Sequence, residues 1–225
     1  MRSTKHYDVL IAGAGISGIA AAYHLQKNCP DKSFALLEGR DVIGGTWDLF
    51  RFPGIRSDSD MYTLGFSFRP WPEEDRIGEG EDIRRYIQDT ADEIGVTDKI
   101  HFSTRIERAS FSTSNARWTV QVRNTKTGER EELTCSFFWS CMGYYRYDAG
   151  YTPDFEGTGD FHGPIVHPQH WDESIDYTGK RVVVIGSGAT AMTMVPVLAN
   201  QADKVTMVQR SPTYVFAWPR RDRIA

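Results

Sequence analysis

The sequence of 225 residues is 40% hydrophobic and 12% aromatic, which is enough apolar material for one large core or two modest ones. Its formal net charge is −4 and its basic residues are scattered among acids, which excludes the electrostatic footprint of a nucleic-acid-binding protein. Three cysteines in a chain of this size predict a reducing, cytoplasmic location, and no apolar run is long enough to span a bilayer.

The N-terminal region has the pattern of a βαβ unit. A short apolar run comes first, then a glycine-rich turn, an Ala-rich segment of high helix propensity and a second apolar run. The pattern predicts a strand over Tyr7–Ala12, a turn over Gly13–Gly18, a helix over Ile19–Lys27 and a strand over Ser33–Glu38.

The first glycine turn has the spacing of a dinucleotide-binding motif. In that motif Gly13 permits the tight turn, Gly15 lets the backbone approach a pyrophosphate, and Gly18 lets helix and strand pack closely. Glu38 ends the second strand, where its carboxylate can accept hydrogen bonds from a ribose diol. This context favours a nucleotide site over a glycine turn without a nucleotide.

The middle of the chain predicts a long loop, one helix and a meander. The stretch 44–72 is rich in Gly, Pro and aromatics, lacks periodicity and is too long for an ordinary connector, so we interpret it as a functional loop. Helical spacing of apolar residues predicts a scaffold helix over Glu81–Ile94. Antiparallel strands are predicted at His101–Phe111, Arg117–Arg123 and Arg130–Cys135, then a strand buried on both faces at Phe137–Gly143 and a linker at Tyr144–Gly163.

A second opening of the same kind follows the linker. The pattern predicts a strand over Lys180–Ile185, a glycine turn, a helix over Met192–Gln201 and a strand over Lys204–Gln209. Ala191 replaces the third glycine of the turn, a substitution that the motif tolerates. The turn residues expected at a cofactor are Gly186, Ser187, Gly188, Ala189, Thr190 and Ala191.

The end of this last strand distinguishes the second site from the first. Arg210 and Ser211 stand where a ribose-binding acid would otherwise be expected. A guanidinium can bind a 2′-phosphate bidentately while the Ser hydroxyl donates a hydrogen bond, so NADPH is expected over NADH. The alternative, that Arg210 is only a solvated cation at a strand end, stays open on the sequence alone.

Two such sites in one chain predict a flavin oxidoreductase that binds FAD first and NADPH second, with hydride passing between them. The residues leave open whether the electrons then pass to a disulfide, to another acceptor or to oxygen. Cys135 and Cys141 lie on successive predicted strands, and Cys29 lies alone at a helix end. A disulfide reductase needs a closely spaced dithiol, which this chain does not show.

Two further segments resemble the signatures of Baeyer–Villiger-type flavoprotein monooxygenases, the class B enzymes that use FAD and NADPH. The segment Gly44–Asp58 fits (A/G)GxWxxxx(F/Y)P(G/M)xxxD at every fixed position. The second segment fits FxGxxxHxxxW(P/D) at Phe161, Gly163, His167, Trp171 and Asp172. Related N- and S-oxygenases end that motif with Tyr or Phe, so its last two residues favour the Baeyer–Villiger branch. Within the branch, the chain resembles the ethionamide-activating monooxygenase group.

The resemblance covers essentially the whole chain and implies a set of cofactor contacts. Those implied for FAD are Gly13, Gly15, Ser17, Gly18, Glu38, Gly45, Thr46, Trp47, Asp58 and the backbone of Ile106. Those implied for NADPH are the turn 186–191, Arg210 and Ser211, with Arg56 and Ser57 near the nicotinamide half. Asp58 is the catalytic candidate, because a carboxylate beside a flavin can position an Arg or tune a proton.

The signature residues also have structural interpretations. Trp47 and Trp171 can be packing aromatics. His167, which the resemblance implies orders a hinge of the NADPH domain, can be purely structural. His167 and His170 have no Cys or carboxylate set to complete a metal site, so no metal is predicted.

The resemblance implies transfer of one atom of molecular oxygen to a small molecule. A ketone would become an ester or lactone, and a sulfide or thioamide would be oxygenated on sulfur. The alternatives are an N- or S-oxygenating flavin monooxygenase and an inactive nucleotide-binding fragment of such an enzyme. No nucleic acid or integral membrane segment is expected.

The family's enzymes continue well past residue 225, so the resemblance implies a truncated α/β fold of two FAD/NAD(P)-binding Rossmann-type domains. We predict an FAD-binding portion at 1–143, a linker with the monooxygenase signature at 144–179, and the start of an NADPH-binding domain at 180–225. An uncovered sheet edge and apolar face predict that the isolated chain is poorly stable and prone to aggregate.

Overall fold

The computed structural model describes residues 4–217 and 219–221, and the chain divides into two compact units. The first consists of the described residues through Asp48 together with Ile83–Tyr145, and the second of Leu49–Asp82 together with the described residues from Arg146 onward. Neither unit is continuous in sequence, because the segment Leu49–Asp82 belongs to the second unit and separates the two parts of the first.

The described residues form eight strands and five α-helices. The strands are β1 (Lys5–Ala12), β2 (Phe34–Leu37), β3 (Ile100–His101), β4 (Thr104–Ser112), β5 (Arg117–Asn124), β6 (Arg130–Ser140), β7 (Arg181–Ile185) and β8 (Lys204–Val208). The helices are α1 (Ile16–Asn28), α2 (Thr46–Leu49), α3 (Met61–Leu64), α4 (Gly80–Glu93) and α5 (Ala189–Leu198).

The first unit is built on a six-stranded sheet of order β3-β2-β1-β6-β5-β4. The strands β3, β2, β1 and β6 run parallel, whereas β4, β5 and β6 form an antiparallel meander. β1 lies inside the sheet, and its residues Leu10, Ile11 and Ala12 are fully buried. This is the expected burial of a parallel strand that is covered on both faces. The predicted βαβ unit and meander are both present.

The meander differs from its prediction in two places. The predicted strand from His101 to Phe111 is interrupted at Ser103, whose φ of 52° breaks the extended backbone and separates β3 from β4. The two predicted strands around Ser136 are a single strand, β6. Its predicted burial on both faces is wrong, because Phe137 and Trp139 are 57% and 37% exposed. Helix α1 contacts β1, and β6 lies one strand further along the sheet.

The second unit contains the parallel pair β7 and β8, with α5 as the connecting helix. Buried Met194 and Leu198 of α5 form a core with Phe50 and Phe52. Residues on one face of the strands pack against that core, whereas Val183 on the other face is 61% exposed. The strand–turn–helix–strand order therefore occurs once in each unit, and the predicted Rossmann-type α/β class is confirmed. In the part of the chain described here, no helix combines the length and apolarity needed to cross a bilayer.

Candidate functional site

The first glycine turn is closed by backbone contacts that leave no room for side chains at its ends. Gly13 has a φ of 101°, and a Cβ on it would lie 2.6 Å from the carbonyl oxygen of Cys141. A Cβ on Gly18 would lie only 2.0 Å from the carbonyl oxygen of Gly13. Both distances are far below a van der Waals contact, so the first and third glycines of the motif are required by the fold of the turn.

The middle glycine has a different surrounding. Gly15 is the N-cap of α1, and a Cβ on it would meet nothing closer than the Cα of Gly45 at 3.6 Å. No side chain caps the helix and its first turn contains no acid. Backbone N–H groups and the helix dipole at such an end favour an anion such as a pyrophosphate. A side chain at position 15 would therefore make only ordinary contact, so the packing of the turn does not itself require a glycine there.

Glu38 links the glycine turn to the loop that follows β2. Its Oε2 accepts a hydrogen bond from the backbone N–H of Ala14 at 2.9 Å, and its Oε1 accepts one from that of Arg40 at 2.9 Å. The residue is buried. Each carboxylate oxygen has a second lone pair, so the group is held in place and can still accept from a ribose hydroxyl.

The loop after β2 brings the start of the Gly44–Asp58 signature to the same turn. The N–H of Gly44 donates to the carbonyl oxygen of Ala14 at 3.2 Å, and α2 begins two residues later with Thr46 and Trp47. Arg40 forms an ion pair with buried Asp48 at the other end of this loop. No sequence pattern indicates this pair, because neither residue occupies a fixed position of the signature.

Ile106 lies on the strand that adjoins the end of β2. The N–H of Thr104 donates to the carbonyl oxygen of Glu38 at 2.7 Å, which joins β4 to that end. The register of β4 against β5 shifts between Ile106 and Arg108, where a bulge frees backbone groups from the ladder. The side chain of Ile106 packs on the core of the first unit. This placement is compatible with the predicted contact through its backbone.

Three predicted cofactor residues of the Gly44–Asp58 signature belong to the second unit. Ser57 is buried, its N–H donates to the carbonyl oxygen of Gly78 at 2.8 Å, and its Oγ accepts from the N–H of Gly78 at 3.0 Å. Arg56 forms an isolated bridge with Glu79. Asp58, the catalytic candidate, is exposed. The local fold thus already uses the hydroxyl of Ser57, whereas the carboxylate of Asp58 faces solvent.

The second glycine turn is more open than the first. Gly186 has a φ of 120°, and within the described chain a Cβ on either Gly186 or Gly188 would meet no atom within 4 Å. Gly188 is the N-cap of α5, again without a side-chain cap and without an acid in the first turn. Ala191 is buried at the helix, where a small residue replaces the third glycine. This helix end also presents backbone N–H groups suited to a phosphate.

The segment after β8 is tied back to this turn. The Oγ of Ser187 donates to the carbonyl oxygen of Ser211 at 3.2 Å, and the Oγ of Thr213 donates to the carbonyl oxygen of Ser187 at 2.6 Å. Arg210 is exposed beside these contacts. Thr213 was not predicted, because no spacing rule of the dinucleotide-binding motif includes it. The turn and the cationic segment that were predicted to bind one cofactor are therefore adjacent.

The structure gives packing roles to fixed positions of the FxGxxxHxxxW(P/D) signature. A Cβ on Gly163 would lie 2.7 Å from Cε1 of Phe161, so the ring of the first residue covers the glycine. Trp171 packs against the core of the second unit and lies edge-on to Tyr177, with ring centroids 6.3 Å apart. The structure thereby gives Trp171 a packing role. Hydrogen bonds from the side chain and backbone of Ser174 lower the pKa of Asp172.

Comparison with known proteins identifies the family. The model of the flavin-binding monooxygenase-like family matches residues 6–221, and the chain belongs to that family. The FAD-containing monooxygenase EthA of Mycobacterium tuberculosis is 56% identical over 223 residues, which are 99% of this chain and 45% of that protein. The probable FAD-binding monooxygenase AlmA of Acinetobacter baylyi is 48% identical over 97% of this chain and 44% of its own length. The chain thus spans less than half the length of these relatives.

Solved structures of monooxygenases have the same fold. An oxidized steroid monooxygenase bound to NADP superposes with a TM-score of 0.80 at 31% identity, covering 93% of this chain and 40% of that one. OTEMO in complex with FAD and NADP gives 0.77 at 30% identity, covering 92% and 39%. Cyclohexanone monooxygenase with bound ε-caprolactone gives 0.80 at 26% identity, covering 94% and 41%. The resemblance to flavoprotein monooxygenases is thereby confirmed.

Proposed function

We propose that this chain is part of an FAD-dependent, NADPH-consuming monooxygenase of the Baeyer–Villiger type. The reaction consumes NADPH, a proton, O₂ and a ketone, and yields NADP⁺, water and an ester or lactone. The observation that carries the proposal is the pair of uncapped glycine-turn helix ends, one in each unit of a chain that belongs to the flavin-binding monooxygenase-like family.

The first turn is the proposed FAD site. The residues around Ala14 fit an adenine dinucleotide: Gly15 has no side chain to keep a phosphate from the N-terminus of α1, and Glu38 is fixed near the same turn as a ribose acceptor. The resemblance adds Ser17, Gly45, Thr46 and Trp47, of which the last three lie on the loop that Gly44 joins to the turn. Bound FAD would accept hydride and activate oxygen.

The second turn is the proposed NADPH site. The N-terminus of α5 would bind the pyrophosphate, and Arg210 with Ser211 would bind the 2′-phosphate through charge-assisted hydrogen bonds. The bonds from Ser187 and Thr213 fix the segment that carries both residues. In the Gly44–Asp58 signature, Asp58 is the proposed catalytic residue, with Arg56 and Ser57 at the nicotinamide half.

The domain limits proposed from the sequence follow the order of these sites. Residues 1–143 would belong to the FAD-binding domain, 144–179 to a linker with the signature, and 180–225 to the start of the NADPH-binding domain. A ketone substrate is favoured by the neighbour crystallised with ε-caprolactone, a lactone. Sulfur oxygenation is the second candidate reaction of the same site.

The test uses the full-length flavoprotein, NADPH and ¹⁸O₂, with cyclohexanone and a methyl aryl sulfide as separate substrates. We expect one ¹⁸O atom in the lactone and stoichiometric NADPH oxidation. Label in the sulfoxide but never in a lactone would replace the Baeyer–Villiger assignment with S-oxygenation. NADPH oxidation that yields only hydrogen peroxide with every substrate would contradict the proposal.

A further inference from the structure

The ring of the signature histidine lies directly against a glycine of the preceding linker. A Cβ on Gly150 would lie 2.0 Å from Cε1, 2.3 Å from Nε2 and 2.4 Å from Nδ1 of His167. Three ring atoms at similar distances mean that this Cβ would point into the imidazole itself. Gly150 does not have a positive φ, so its backbone conformation would accept an L-residue. The obstacle to a side chain at position 150 is therefore the imidazole of His167.

The same histidine has a fixed role for one ring nitrogen. Its Nδ1 accepts a hydrogen bond from the backbone N–H of Gln169 at 3.2 Å and caps the 3₁₀ turn Pro168–His170. A nitrogen that accepts from an N–H carries no proton, so the neutral ring has its hydrogen on Nε2. The tautomer of His167 is thus set by the turn in which it lies.

Gln169 makes a second connection to the linker. It is buried, and its Nε2 donates to the carbonyl oxygen of Arg146 at 2.5 Å. Residues 167–170 therefore contact the segment 146–150 at two places. The imidazole of His167 lies against Gly150, and the side-chain amide of Gln169 donates to the carbonyl oxygen of Arg146. All four residues belong to the second unit.

We propose that Gly150 and Gln169 are positioning residues that fix the rotamer and the Nε2–H tautomer of the signature histidine. Gly150 acts by having no side chain, and Gln169 acts through its backbone N–H and its side-chain amide. The inference rests on the proposed function, since His167 belongs to the signature that the proposed linker carries. The effect of these residues on the imidazole rests on the geometry alone.

The test compares three variants of the full-length protein: Gly150→Ala, His167→Ala and the double variant. Gly159→Ala is the matched control, because it lies in the same linker, has no positive φ and would place its Cβ where no described atom lies within 4 Å. The ¹⁵N-histidine spectrum reports the tautomer directly, and the signal that His167→Ala removes is assigned to His167.

We expect the wild type and Gly159→Ala to show an Nε2–H signal for His167, and Gly150→Ala to lose or shift it. In turnover, we expect Gly150→Ala to lower kcat/KM for NADPH by about 10–100-fold, as small misplacements do. The same substitution should have no further effect once His167 is Ala, since the clash is then gone.

Folding and function failures are separable in this design. If Gly150→Ala does not fold, the double variant must fold, because removing the ring removes the clash. Gln169→Glu then tests the second anchor independently, since it removes the amide donor to Arg146 at constant size and keeps the backbone N–H that donates to Nδ1 of His167. We expect it to shift the His167 signal, and an unchanged signal would contradict the role of Gln169. An unchanged His167 signal in Gly150→Ala, or additive effects in the double variant, overturns the inference. A correct spectrum in a protein that does not oxygenate substrates contradicts the proposed function and leaves the inference standing.

Discussion

The carboxylate of Glu38 accepts the backbone N–H of Ala14 at 2.9 Å and is buried beneath the turn that Ala14 belongs to. Its other oxygen accepts the N–H of Arg40, so one side chain holds two loops of the first unit together. The residue thus has a structural role in the protein alone, in addition to the ribose contact proposed for it.

Glu38→Gln tests both roles. The substitution replaces one carboxylate oxygen with an NH₂ group, so that a donor would face a backbone N–H donor. One buried donor is then left unsatisfied, at a cost of about 1–3 kcal/mol. We expect urea denaturation of the flavin-free protein to show this loss, and flavin titration to show weaker FAD binding. Glu132→Gln, on the exposed part of β6, should change neither. Unchanged stability of the flavin-free variant would contradict the structural role.

Gly15 and Gly18 should respond differently to the same substitution. Gly18→Ala would place a methyl group 2.0 Å from a backbone oxygen, so we expect it to prevent folding of the first unit. Gly15→Ala would place one in ordinary contact at 3.6 Å, so the variant should fold and bind FAD more weakly. Circular dichroism and flavin fluorescence separate the two effects. Normal flavin content in Gly15→Ala would show that no phosphate approaches this position.

Arg210→Gln should change the choice of cofactor and leave the fold intact. Arg210 is exposed, and its loss removes charge-assisted hydrogen bonds to a 2′-phosphate, worth about 1.5–3 kcal/mol. We expect the KM for NADPH to rise roughly 10–100-fold, while the KM for NADH stays the same. Arg181→Gln, at the exposed start of β7, is the control. Equal effects on both cofactors would assign Arg210 to the solvated surface.

The three cysteines should react with iodoacetamide in a fixed order. Cys29 is exposed, burial raises the pKa of the Cys141 thiol, and burial raises that of Cys135 to about 11. At pH 8 a thiol of pKa 11 is ionised about two hundred times less than one of ordinary pKa. Peptide mass spectrometry should show Cys29 labelled first, and Cys135 labelled only in urea. Early labelling of Cys135 in the folded protein would show that the meander opens.

His101 should make stability depend on pH near neutrality. Its Nε2 lies 3.3 Å from the hydroxyl oxygen of Tyr7. Burial, and after it the charge of Lys5, lowers the pKa of His101. Its contribution to stability is then complete above about pH 6.5 and is lost as the pH falls from there, since the unfolded chain binds the proton more readily. His101→Gln should flatten the stability curve between pH 7 and 5. Above pH 7.5 the difference between the two proteins should be constant.

Local patterns in the sequence predicted the parts of the fold that depend on neighbouring residues. Both glycine turns join a strand to a helix as predicted, and Gly13 and Gly186 have the positive φ that the spacing indicates. Each helix begins three residues earlier than predicted, at Ile16 and at Ala189. The helix α4 buries Ile83, Tyr86 and Ile87, as its periodicity predicted. Two strands were predicted where the structure has the single strand β6, because polar Ser136 interrupts the apolar run. Periodicity alone cannot tell one strand from two.

Contacts between distant segments could not be predicted in this way. The acceptor role of Glu38 toward Ala14 spans 24 residues, and the ring of His167 on Gly150 joins two loops without regular structure. No spacing rule encodes such pairs, because each depends on where the fold places a backbone atom. The signature identified His167 as a candidate, but only the structure shows what holds its ring.

Gly54 lies so close to α5 that a Cβ on it would be 2.6 Å from Cγ2 of Val197. Residues 49–82 therefore depend on a helix that the ribosome makes much later. At about 5–20 residues per second, the roughly 140 intervening residues take about 7–30 s to synthesise. During that time Phe50 and Phe52, which are buried in the finished unit, have no core to enter. Until α5 is made, the nascent segment therefore exposes two aromatic side chains that the finished unit buries.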